Sequence, residues 1–86
     1  MRVEVEVSDR AITIVERRAP WREDLAPEWT RSPVARLRYT RSRSEWTLYW
    51  RDRNQRFHRY DGAPPTPDID TLITAIDEDA TGIFWG

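Results

Sequence analysis

Cysteine is absent from this chain, so no disulfide staples the fold and no thiolate is on hand as a nucleophile or metal ligand. Histidine occurs once, as His58, which is too little for a transition-metal site. Three glycines leave no glycine-rich cradle for a phosphate. No apolar run approaches the roughly 20 residues that span a bilayer. The opening MRVEVEVSDR lacks the hydrophobic stretch of a signal peptide. These absences point to a cytoplasmic protein with no membrane contact and no cofactor. Lysine is missing too, and all 14 basic residues are arginine. Biased coding accounts for this, as does selection for planar, bidentate contacts.

Charge and tryptophan are what the chain has in quantity. Charged residues make up 34% of 86, yet the formal net charge is −1. High charge near balance avoids the self-repulsion of disordered chains. Five tryptophans point the same way, since each buries roughly 150–250 Å². A single folded domain over residues 1–86 is expected.

Period-two alternation identifies the strands. Val3, Val5 and Val7 alternate with Glu4 and Glu6 over residues 2–8, and Ile12 and Ile14 repeat the pattern over 11–17. Pairing Ser8 with Ala11 sets Val7 opposite Ile12 and Val5 opposite Ile14, which gathers the apolar side chains on one face. Residues 18–33 carry Pro20, Pro27 and Pro33 and read as a long connection pinned by Trp21 and Trp29. Strands over 34–41, 45–51 and 56–60 follow. Their expected pairing sets Tyr39 opposite Trp46, Leu37 opposite Leu48, Trp50 opposite Phe57 and Tyr49 opposite His58. An odd-length turn would flip a strand. A helix is expected over 67–78, with Thr66 as N-cap, Pro67 at the first position and an Ile69, Leu72, Ile73, Ile76 stripe. The apolar Ile83-Phe84-Trp85 tail is expected to fold back. The fold class is therefore α+β: about five antiparallel strands in sequential hairpins, packed by one C-terminal α-helix.

Several stretches together resemble a bacterial, actinobacterial-type family of small uncharacterised proteins, a domain of unknown function. They are Glu16-Arg17-Arg18-Ala19-Pro20-Trp21, Ala35-Arg36-Leu37-Arg38-Tyr39, Trp46-Thr47-Leu48-Tyr49-Trp50, Phe57-His58-Arg59-Tyr60, the run from Pro65 to Leu72, and the ending Gly82-Ile83-Phe84-Trp85-Gly86. The resemblance covers nearly the whole chain and implies no activity. It also implies a helical segment ahead of the first strand, where this chain starts at the strand itself: either the start is placed late or this member lacks that helix. Loss of a covering helix would leave an apolar patch, a cue for association.

Charge is segregated along the chain. Residues 31–60 hold nine arginines and two acids, whereas 61–86 hold six acids and no base. The expected outer sheet face gathers Arg36, Arg38, Tyr49, Arg51, Arg56, His58 and Tyr60 as a binding surface. A face of this kind tracks phosphates and stacks bases. The plainer alternative is a solvated face neutralised by Glu4, Glu6, Glu16 and the acidic C-terminal segment. His58 stands alone, no serine sits in a nucleophile elbow, and Asp77-Glu78-Asp79 lacks the alternation of a calcium loop. No enzyme constellation emerges. A non-enzymatic interaction module, with Trp21 and Trp29 as anchors for a protein partner or for self-association, is the leading expectation. Single-stranded nucleic-acid binding through the arginine and tyrosine face is the alternative.

Overall fold

Valine–glutamate alternation builds the first strand, β1 (Arg2–Ser8), and the isoleucine alternation builds β2 (Ala11–Arg18). A computed structural model describes residues 2–18 and 30–85. In it, β3 (Thr30–Thr40), β4 (Glu45–Arg51) and β5 (Phe57–Arg59) complete the sheet, and a single helix, α1 (Ile69–Glu78), closes the chain. All pairings are antiparallel and the strand order is β1-β2-β3-β4-β5. No helix among the described residues is long and apolar enough to cross a membrane.

Two expected registers hold. Val7 pairs with Ile12 and Val5 with Ile14. Leu37 pairs with Leu48 and Tyr39 with Trp46, whose rings lie 5.1 Å apart. The third register is a correction. Phe57 pairs with Arg51, His58 with Trp50 and Arg59 with Tyr49, one residue off the expected alignment. Asp52 causes the slip. Its Oδ1 accepts the backbone N–H of Asn54 at 2.8 Å and of Arg56 at 2.9 Å, while Gln55 adopts a left-handed φ of 68°. The carboxylate thereby organises a turn of odd length, and odd length exchanges the two faces of β5.

Two boundaries are also corrected. β3 starts at Thr30, well before residue 34, and takes Pro33 into the ladder at an irregularity where Ile14 pairs with Ala35 and Val15 with Pro33. A bulge accommodates a residue with no N–H to donate. It also returns Arg31 to the face carrying Glu6. α1 starts at Ile69 with Asp68 as its N-cap, not at 67 with Thr66. Thr66 is drawn into a backbone bridge with Trp46 instead (2.8 and 3.0 Å), and its hydroxyl accepts from Asp68 N.

Packing follows from these faces. Leu72 and Ile76 of α1 are buried with Val34, Ala35, Leu37, Leu48, Ala63 and Phe84. The tail is held by Asp79, which ends the helix at φ 43° and accepts from Phe84 N at 3.0 Å and Trp85 N at 2.8 Å. Trp85 Nε1 then donates to the Ile76 carbonyl. A helix is about 10 Å wide and strands lie about 4.8 Å apart, so one helix covers about two strands of a five-stranded sheet. α1 lies over β4, and β1 is left uncovered.

Candidate functional site: a basic sheet face and an apolar groove

The two sides of the sheet present different chemistry. On the side away from α1, Arg36, Arg38, Tyr49 and Arg51 share one face through the β3–β4 register, as expected from the sequence. Arg56, His58 and Tyr60 do not join them. The slip of β5 turns His58 toward Trp50, with ring centroids 4.9 Å apart, and Tyr60 edge-on to Phe84 at 5.0 Å. Arg56 lies opposite Asp52, to which its backbone is bonded. In exchange, Phe57 and Arg59 enter the basic face. Phe57, expected in the core, lies beneath the Arg36 guanidinium at 4.2 Å, a cation–π contact. Trp21 and Trp29 lie outside the described residues.

Neutralisation of this face by β1 is not what the geometry shows. Glu4 pairs with Arg2 at 3.0 Å and Arg17 at 2.8 Å. Glu6 takes both nitrogens of a forked contact from Arg31 and lies 3.7 Å from Arg17. The Arg31 hydrogen bonds, aided by the two positive charges, hold Glu6 below the usual carboxylate range and raise Arg31 in turn. Glu16 is engaged by Arg18. Among the described residues, no carboxylate forms an ion pair with Arg36, Arg38, Arg51 or Arg59. Arg36 donates to Thr13 Oγ1 at 3.3 Å and Arg51 to the Pro33 carbonyl at 3.5 Å. The acids of α1, Asp70, Asp77 and Glu78, lie on the opposite layer.

His58 and Asp52 form a titratable couple outside this face, with Nε2 and Oδ2 2.6 Å apart. The histidine contact, with the N–H groups of Arg56 and Asn54, holds Asp52 below its ordinary value. The pair sits in the β4–β5 turn beside Trp50, with Arg53, Asn54, Gln55 and Arg56 exposed around it. It stabilises that turn.

On the α1 side lies an apolar surface that the sequence suggested only as a patch left by a missing helix, without naming its residues. Val3, Val5 and Val7 are 51, 61 and 76% exposed, and Ile73 and Trp85 are 39 and 38% exposed. Val3, Val5, Ile12, Ile14, Ile73 and Trp85 line a groove of about 330 Å³ between β1–β2 and α1, with Asp77 at its rim. The sequence does carry a signal for this groove. One ten-residue helix cannot cover five strands, so some apolar face had to remain bare.

Compared with known protein families, residues 1–86 match a domain of unknown function, DUF3024, and the chain belongs to that family. No curated protein and no solved structure matches it.

Proposed function

We propose that this member of the DUF3024 family is a non-enzymatic protein-interaction module whose contact surface is the groove between β1 and α1. One observation carries this reading. A regular strand with three consecutive inward-type valines leaves all three more than half exposed, beside an exposed isoleucine and tryptophan. Contiguous apolar surface of this kind marks an interaction site. The floor is two strands wide, about the width of a helix. Asp77 stands on its rim and residues 61–86 hold no base, so charge complementarity calls for basic residues on the flank of the occupant. The partner is thus an amphipathic helix with an apolar face and a basic flank, bound as a helix in a groove.

A designed leucine/lysine amphipathic peptide provides the probe, read through the emission of Trp85 and the other tryptophans. Binding is expected for that peptide, lost with Ile73→Asp, and absent for a leucine/glutamate analogue. Equal binding of both peptides by wild type and Ile73→Asp sinks the reading.

The basic face favours a second reading through one separate observation, the lack of carboxylate partners for Arg36, Arg38, Arg51 and Arg59 among the described residues. The acids of α1 lie on the other layer, and Glu4 and Glu6 are taken up by Arg17 and Arg31, so an overall pI near 5.8 leaves this face locally basic. A fluorescently labelled oligo-dT is the probe. Binding that disappears in Arg38→Glu/Arg59→Glu supports this reading, and no binding at low salt ends it.

A further inference from the structure

We propose that the chain self-associates through the free edge of β1, two copies pairing antiparallel so that their sheets join into one. Among the described residues, strand order leaves β1 with a neighbour on one side only. It is seven residues long, contains no proline, glycine or lysine, and pairs with β2 in an unbroken register. These are the features that natural edge strands avoid, because unpaired N–H and C=O groups template another strand. The opposite edge, β5, has only three residues. Of the three charges on β1, Glu4 and Glu6 are engaged on the sheet face by Arg17 and Arg31, and Arg2 by Glu4. With a net charge of −1 per copy, two copies repel little.

Charge selects the register. A two-fold axis through Glu4 places Val3 of one copy opposite Val5 of the other, and Arg2 opposite Glu6, twice over. Arg2 already lies 3.0 Å from Glu4 and Arg17 2.8 Å from it, so the two facing Glu4 side chains are compensated. An axis through Val5 instead opposes Glu4 to Glu6 twice and leaves Arg2 opposite Ser8, so it doubles the like-charge pairing and gains no opposite-charge pair. Pairing over five residues a side falls below the roughly 1,200 Å² of standard interfaces, so a weak dimer is expected, with a dissociation constant of about 10–100 μM. The two valine floors then adjoin. This association does not rest on the helix-in-groove reading, and either can fail alone.

Because the chain has no cysteine, a single introduced thiol reports the register. Residues facing across an antiparallel ladder have Cα atoms about 4.5–5.5 Å apart, within disulfide reach. Under mild oxidation Glu4→Cys is expected to cross-link to itself, whereas Val5→Cys and Ser8→Cys are not. Circular dichroism checks that each variant is folded. Sedimentation of the wild-type chain is expected to show a concentration-dependent dimer, weakened roughly tenfold in Arg2→Glu, which opposes two glutamates across the axis. A wild-type chain that stays monomeric at about 500 μM overturns the proposal, as does self-cross-linking of Val5→Cys or Ser8→Cys in place of Glu4→Cys. A dimer that forms while the helical peptide fails to bind supports the edge contact and rejects the groove reading alone.

Discussion

The bare valine face can be tested with one substitution made at two places. Val5 and Val15 sit in the same hairpin, Val5 opposite Ile14 and Val15 opposite Glu4. Val5 is 61% exposed and Val15 is 0% exposed. Valine to threonine keeps shape and β-branching but exchanges a methyl for a hydroxyl. At Val15 the hydroxyl is desolvated and a fully buried methyl is lost, so Val15→Thr is expected to cost about 1.5–3 kcal/mol. At Val5 less than half of the side chain is withdrawn from water and the hydroxyl stays hydrated, so Val5→Thr is expected to cost below about 0.5 kcal/mol. A domain of this size has roughly 4–13 kcal/mol of stability, which leaves both variants measurable. With a urea m-value of about 1 kcal/mol/M, the midpoints shift by about 1.5–3 M and by less than about 0.5 M respectively. Equal costs at the two positions would mean that the valines are covered in the single chain. The groove reading would then be wrong.

The remaining predictions probe other contacts. A Cβ on Gly62 falls 2.6 Å from Tyr60 Cζ, so Gly62→Ala is expected to displace that ring from Phe84, cost about 1–3 kcal/mol and alter the near-ultraviolet circular dichroism. Asp79→Ala loses the acceptors for Phe84 N and Trp85 N and places alanine at φ 43°; a loss of about 1–3 kcal/mol and red-shifted tryptophan emission are expected. Asp52 is held below its ordinary value of about 3.9, so its contribution is complete above that pH and is lost as pH falls through the depressed folded value. Urea midpoints of wild type should therefore fall more steeply than those of Asp52→Asn between about pH 4 and pH 2. If four arginines of the basic face contact phosphates of oligo-dT, the salt slope is about −2.8, a roughly 50-fold loss of affinity from 50 to 200 mM salt. A flat salt response contradicts that contact.

Parity explains which parts of the candidate sites were legible. Tight, even connections transmit register, so β1–β2 and β3–β4, and with them Arg36, Arg38, Tyr49 and Arg51 on one face, follow from alternation. The Asp52 turn hides an extra residue held by side-chain hydrogen bonds, which no hydropathy pattern reports, and this misplaced Arg56, His58, Tyr60 and Phe57. Thr66 and Asp68 are both competent N-caps. The choice between them fell to the bridge between Thr66 and Trp46, a contact between residues far apart in sequence.

Local periodicity and turn chemistry alone determined the strands, the helix stripe, the fold class and the segregation of arginines from acids, because each depends on residues close along the chain. Tertiary structure alone decided where the helix lies, which carboxylates the arginines meet, and that the valine face of β1 stays in water. One helix is narrower than five strands, and which strands it leaves bare is settled only when Leu72 and Ile76 find the buried centre of the sheet.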